Sequence, residues 1–394
     1  MHDETLASGM YFPELDVAPT DTADTSKHFD FHGNAKDYFR IWIVNVALSI
    51  VTLGIYSAWA SVRTRRYMYA NTTLAGSPFE YLAKPLPILR GRLLTGAIFA
   101  IYVIAGHVST PLQLGAGVVF AAFMPWRIVK GMMFRARYSA WRGLRFFFTS
   151  DYGGAYQWYF VVYILMGIPF ALMAFLIIGG HAFVGSLCFL AGIGGLYPWI
   201  KGNQQSWMVD HHYFGGKSFR FRGEMSAYFN VYWRAIAVGL GWFLPTIILV
   251  GGVGGVIVEM HGHQPFNPRA PSIGFILAIY AAMAPMYLGI WTYTHTRMTN
   301  LLYNQARLGL YSFRSSLQYW PMLGLYLTNA LAILFSIGLA IPWARIRLAR
   351  YRAAHLEVIG EGDLNDFVRD AMSHGEVSAT GTEMDSMFGI DISL

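Results

Sequence analysis

"LGIYSAWASVRTRRYMYANTTLAGSPFEY", residues 53–81, runs from an apolar segment into Trp59, then through an arginine cluster at Arg63, Arg65 and Arg66, to Tyr67, Gly76 and alternating aromatics at Phe79 and Tyr81. The same succession returns along the chain. Counted from each Trp, an aromatic stands eight residues on and a Gly seventeen: Trp59 with Tyr67 and Gly76, Trp126 with Phe134 and Gly143, Trp199 with Trp207 and Gly216, Trp343 with Tyr351 and Gly360. Pro125, Pro198 and Pro342 precede three of these Trp residues, and Gly54, Ala121, Gly194 and Gly338 lie five before. A looser copy surrounds Trp291, with Arg297 and Gly309 after it. Ungapped copies at fixed offsets identify an internal repeat.

Each position has a physical reading. Trp favours the membrane–water interface, where its ring is buried and its N–H stays wet. Arg directly after it marks the cytoplasmic end of a membrane helix. A Pro before the Trp kinks the helix, and the Gly is expected to supply a left-handed C-cap to a basic, interfacial helix. The plain reading of the motif is architectural anchoring; a ligand-binding rim is the functional alternative.

Composition agrees with a membrane protein. The 394 residues are 55% hydrophobic and 13% charged, against about 25% charged in soluble domains, and the mean hydropathy is +0.39. Apolar segments fall near 41–58, 93–110, 112–126, 158–178, 181–200, 235–258, 272–293 and 322–342. The pair around Pro111 reads as one tight helical hairpin. Residues 1–28 are polar and acidic, without a basic stretch leading into an apolar one, so no cleavable signal peptide is expected. The lone Cys188 excludes an intrachain disulfide and a cysteine metal cluster.

A second element precedes the apolar segments. "FDFHGNAKDYF" (29–39) matches "FRFRGEMSAYF" (219–229) in the spacing of Phe, Phe, Gly, Tyr and Phe. Alternating aromatics followed by Gly predict a short strand entering a turn, with a helix after it. The fold class expected is therefore an all-α polytopic membrane protein. Its repeated helical-hairpin units carry short cytoplasmic strand or turn elements and amphipathic helices. The domains are an acidic, disordered tail at 1–28, a membrane domain of four to five repeats at 29–356, and an acidic tail at 357–394.

Twenty-four of the 29 Lys and Arg lie in the Trp-containing segments, which are therefore expected to face the cytoplasm. Tyr-to-Trp spans are 43 and 63 residues in the middle (Tyr156 to Trp199, Tyr228 to Trp291) but 21 and 24 at the ends (Tyr38 to Trp59, Tyr319 to Trp343). Six spanning helices with two re-entrant terminal hairpins is the favoured topology, and eight full spans the alternative.

The stretch from "FHGNAKDYFRIWIVN" to "LGIYSAWASVRTRRYMYANTTLAGSPFEY" resembles the YjgN family of bacterial inner-membrane proteins, a domain of unknown function. The resemblance covers about residues 28–356. It implies a multipass inner-membrane location and supplies no reaction, substrate or catalytic residue.

Candidate chemistry is sparse. "EMHGHQ" places Glu259, His261 and His263 in a turn, a weak candidate for Zn²⁺ or Cu²⁺, and more simply a polar loop. "DHH" (210–212) reads as a solvated face. The chain has no Gly-rich phosphate loop, HExxH or GxSxG, so neither an enzyme nor a cofactor is expected. Asn45 and Asn329 both sit fourteen residues before their Trp inside apolar segments, where helix–helix bonding is the plain explanation and a polar lining the functional one. Arg63, Arg65, Arg66, Arg127, Lys130, Arg345 and Arg347 form the expected rim for anionic lipid head groups or an anionic solute. The expected function is non-enzymatic transport or handling of a lipid or anionic amphiphile. The alternative is a structural or adaptor protein for another envelope protein. Membrane lipids and such an envelope protein are the expected partners, nucleic acid is not, and the oligomeric state is open.

Overall fold

A computed structural model of the chain describes residues 25–260, 273–360 and 363–373. The element order runs strand–helix–helix–strand five times. The first unit is β1 (Thr25–Phe31), α1 (Ala35–Val51), α2 (Ser57–Ala70) and β2 (Thr72–Leu74). The second is β3 (Ser77–Tyr81), α3 (Pro85–Val108), α4 (Thr110–Arg137) and β4 (Ser139–Trp141). The third is β5 (Leu144–Phe148), α5 (Tyr152–Tyr156), α6 (Val162–Ile178), α7 (Ala182–Asp210) and β6 (His212–Phe214), with a π-helical turn at Gln157–Val161 joining α5 to α6. The fourth is β7 (Lys217–Phe221), α8 (Met225–Met260), α9 (Ile273–Gln305) and β8 (Ala306–Leu308). The fifth is β9 (Tyr311–Ser315), α10 (Tyr319–Phe335), α11 (Ile341–Ala354) and β10 (Leu356–Gly360), after which comes α12 (Leu364–Ser373).

The strands overturn the all-α expectation. They form a closed antiparallel barrel in the order β1-β10-β9-β8-β7-β6-β5-β4-β3-β2. Within a unit the two strands pair with each other, as Phe79 with Trp141 and Phe146 with Phe214. Between units, two-residue hairpins join β2 to β3, β4 to β5, β6 to β7 and β8 to β9. The seam is β1 on β10, Thr25 opposite Gly360. A three-residue strand cannot show a period of two, and its partner lies beyond a helical pair, so the sequence pattern registers the helices and single short strands but not their pairing into a barrel.

The repeated Gly is part of this barrel rather than a helix cap. Gly76, Gly143 and Gly216 have φ of 74°, 79° and 76°, and the residues before them, Ala75, Arg142 and Gly215, are also left-handed at 48°, 49° and 57°. Two successive positive φ values make the hairpin turn whose twist matches paired strands. Gly360, at the same offset in the last unit, has no following strand to turn into and stays extended in β10.

The helices pack on their neighbours in the same cyclic order as the strands, and α11 closes on α1. Among the described residues five helices are long and apolar enough to cross a membrane: α3, α4, α5 with α6, α7, and α8. The terminal pairs are shorter. At 17 residues, α1 and α10 reach roughly 25 Å, short of the ~30 Å hydrocarbon core. Each pair turns back through the same motif. In the first, the Gly54 N–H donates to Ser49 O and Leu53 N–H to Ile50 O; in the last, Gly338 donates to Ile333 O and Ile337 to Leu334 O. Leu53 and Ile337 at the tips are 95% and 94% exposed, as suits apolar groups facing lipid. The hairpin expected around Pro111 is present, with only Ser109 between α3 and α4.

Candidate functional site: the axial cavity

Six phenylalanines line the inside of the barrel, Phe29 and Phe31 from the first unit and one from each of the others: Phe79, Phe146, Phe219 and Phe313. Phe29 stacks on Phe79 and Phe219 on Phe313, both at 6.0 Å between ring centres, and Phe146 stacks on Phe214 at 4.4 Å. On the helix side of this ring lies a cavity of about 800 Å³ lined by residues of all five units, so it sits on the barrel axis. The first residues of the even strands, Thr72, Ser139, His212, Ala306 and Leu356, all face it.

Two guanidiniums also face the cavity, from Arg135 on α4 and Arg352 on α11. Both stand nine residues after their unit's Trp and four before the even strand. Arg352 donates to the Tyr326 hydroxyl at 3.0 Å and to His295 Nε2 at 2.8 Å, while its Nε is buried without a partner. Among the described residues no carboxylate forms an ion pair with either arginine. The neighbouring polar groups are already engaged. Ser139 Oγ donates to the Arg135 carbonyl at 2.8 Å and lies 3.1 Å from the Tyr69 hydroxyl, and His212 Nδ1 donates to the Met208 carbonyl at 2.6 Å. Burial lowers the His212 pKa against the raising effect of that carbonyl, so the imidazole is neutral at pH 7.

The opposite mouth of the barrel is covered by α12. Its Leu364, Phe367, Val368 and Ala371 are buried among Leu74, Trp141, Phe214, Leu308 and Tyr311. Phe367 stacks on Phe214 at 5.8 Å and meets Tyr311 edge-on at 5.6 Å. Arg142 ties the helix to two hairpins by donating to Asn365 Oδ1, Ser77 Oγ and the Ala75 carbonyl. Residues 356–373, expected to belong mostly to the acidic tail, thus supply the closing strand and this cover.

The sequence motif residues divide by role. Trp59, Trp126, Trp199 and Trp343 stay part-exposed on the helix ring. In two units the aromatic eight residues later locks the start of its own unit. Tyr67 donates from its hydroxyl to the Asn34 carbonyl, and Trp207 donates from its indole to Asp151 Oδ2 at 2.8 Å. Asn34 and Asp151 are themselves side-chain caps of α1 and α5. Phe134 is buried against Tyr138, and Tyr351 lies on His355. Asn45 and Asn329 donate to Ala60 O and Ala344 O, joining the two helices of each terminal pair, which is the plain reading of both.

The expected arginine rim does not assemble as one surface. Arg66 donates to the Ala83 carbonyl, and Arg127 contacts Met124 Sδ at 3.8 Å. Arg347 donates to Thr328 Oγ1 and Asn329 Oδ1. Arg63 is exposed on α2, and Lys130 lies on α4 without lining either cavity. Arg65 and Arg345 instead meet Arg92 in a separate recess of about 520 Å³ between α1, α2, α3 and α11. Sequence reading missed Arg92, Arg135 and Arg352; the shared ninth position after Trp was the available signal for the last two. The side chains of Glu259, His261 and His263 lie outside the described residues, among which no cluster of His, Cys, Asp and Glu could hold a metal.

Similarity to known proteins follows the whole architecture. A family model described as a bacterial protein of unknown function (DUF898) matches residues 26–387. The chain is similar to the inner membrane protein YjgN of Salmonella typhimurium strain LT2, 27% identical over 372 residues, which is 86% of this chain and 90% of that protein. It is 26% identical over 373 residues to inner membrane protein YjgN of Escherichia coli K12, with the same coverage. No solved structure matches the chain. With the family model spanning the barrel, the helix ring and the covering helix together, the chain belongs to the DUF898 family of bacterial proteins of unknown function.

Proposed function

We propose that the protein is a non-enzymatic inner-membrane protein that takes an anionic amphiphile or small anionic solute into its axial cavity and passes it between the membrane and the barrel side. The carrying observation is the pair of carboxylate-free guanidiniums, Arg135 and Arg352, at one repeat position beside six phenylalanines in a cavity of about 800 Å³. Apolar walls suit a hydrocarbon or aromatic body, and two guanidiniums suit its charged end. The Ser139 hydroxyl and the His212 imidazole of the cavity are held by backbone and tyrosine partners, which favours binding over catalysis. The concentration of Lys and Arg in the segments flanking the strands supports a cytoplasmic barrel. The names of the similar proteins support the inner membrane.

The test is native mass spectrometry with lipidomics on protein extracted gently from its own membrane. The wild type is expected to retain a selectively enriched anionic species, and Arg135→Gln with Arg352→Gln to lose it by about tenfold or more, the loss that follows from ~1.4 kcal/mol. No enrichment in the wild type, or equal retention by the double variant, overturns the proposal. A stoichiometric protein subunit with no enriched small molecule replaces it with the adaptor reading.

A further inference from the structure

The recess between the terminal helical pairs brings Arg65 of α2, Arg92 of α3 and Arg345 of α11 to one place. All three are held by neutral groups. Arg92 donates to Ser57 Oγ at 2.5 Å and Ser61 Oγ at 2.6 Å. Arg65 donates to the Tyr81 hydroxyl at 2.8 Å and lies over that ring at 5.4 Å. Arg345 donates to the Tyr38 hydroxyl at 2.9 Å. A guanidinium has five N–H donors in a fixed fork, so most donors of this trio remain unspent. Among the described residues no carboxylate pairs with any of them.

Structural arginines at a membrane surface are ordinarily solvated singly or paired with an acid. Here three sit together, drawn from three helices of the first, second and fifth units, and serine and tyrosine hydroxyls fix all three at short range. The tyrosine and serine contacts orient the forks without neutralising them. That arrangement is built for a tetrahedral oxyanion, which accepts several charge-assisted hydrogen bonds at once. The surroundings add a second property. Trp42 and Ile50 line the same recess, and the neighbouring hairpin tip exposes Val51, Leu53 and Ile55. An anion seated on the guanidiniums therefore lies beside an apolar, lipid-facing edge.

We propose that Arg65, Arg92 and Arg345 form a binding site for a phosphate group. The site is separate from the axial cavity and does not depend on the function proposed for it. The phosphate comes either from an anionic phospholipid head group or from a soluble phosphate, and the two sources are separable by experiment. Purified, delipidated full-length protein is titrated with phosphatidylcholine vesicles, with the same vesicles doped with phosphatidylglycerol, and with inorganic phosphate, reading thermal stability and bound lipid by native mass spectrometry. Retention of phosphatidylglycerol that inorganic phosphate does not displace supports the lipid source. Stabilisation by inorganic phosphate alone supports the soluble one. Either signal is expected to fall about tenfold in Arg92→Gln with Arg345→Gln and to persist in Arg63→Gln, whose residue is exposed on α2 and does not line the recess. If the double variant does not fold, Arg345→Gln alone is read, with a loss of about threefold or more expected. Absence of both signals in the wild type, or an unchanged signal in the recess variants, overturns the site.

Discussion

The two terminal units and the three middle ones have the same strands and differ in what they send toward the membrane. Each contributes two neighbouring strands, and each is entered through an aromatic strand followed by a helix start. The middle units carry long helices such as the 24 residues of α3 and the 29 of α7, while the terminal ones carry 17- and 14-residue pairs with matched left-handed tips. Because the barrel closes β1 on β10, the two short units are adjacent. The helix ring therefore has one thin sector, and the three-arginine recess lies in it. The strands are a constant platform, and helix length is the variable mounted on it.

The comparison can be broken most severely at the seam. Val358 is buried in β10, opposite Phe313 on β9 and Lys27 on β1. Val358→Asp sets a carboxylate against the barrel core, at a cost expected above about 4 kcal/mol, and is expected to abolish a monodisperse peak in size-exclusion chromatography. Survival of that peak would show that closure by the last unit is dispensable. A smaller effect sharpens the contrast in the helices. Gly338 has φ 89° at a terminal tip, so Gly338→Ala is expected to cost about 1–2 kcal/mol and lower Tm in detergent. Gly115 of the middle helix α4 has open space around its missing Cβ, and Gly115→Ala is expected to gain roughly 0.5–1 kcal/mol. Equal shifts in the same direction would contradict the assigned tips.

A further small effect concerns the start of a middle unit. Asp151 accepts from the Gly154 N–H at 2.9 Å and from the Trp207 indole. The Gly154 bond first, and then the Trp207 bond, hold its carboxyl below the usual carboxylate range, against the opposing effect of burial. The stability this gives is present at neutral pH and is lost as pH falls below the ordinary carboxylate pKa of about 4. Asp151→Ala is expected to cost about 1 kcal/mol at pH 7 and to flatten the acid limb of a Tm-against-pH curve. An unchanged acid limb would mean that Asp151 does not carry it.

Much of the unit was legible. Alternating aromatics followed by Gly at 29–33 and 219–223 do form strands β1 and β7, and the Asn45 and Asn329 equivalence reports the same helix–helix bond. The barrel was not legible, because pairing such as Thr25 with Gly360 joins residues at opposite ends of the chain and leaves no local period. Arginine next to Trp drew the candidate site to Arg63 and Arg66, whereas the cavity takes Arg135 and Arg352, one helical turn before their strands. In the last segment, acidic composition concealed Leu364, Phe367, Val368 and Ala371, whose i, i+3, i+4, i+7 spacing is that of an amphipathic helix.

The β1–β10 ladder also sets an order of events during synthesis. Residues 25–31 emerge first, yet one of their two edges stays open until residues 356–360 have left the ribosome. Every helical pair between them can enter the membrane in turn, but the barrel becomes a cylinder only at the last step. Until then the nascent chain carries an exposed strand edge of the kind that recruits foreign strands. A chain stopped anywhere short of β10 is thus left as an open arc, with its first strand available to a neighbour's last.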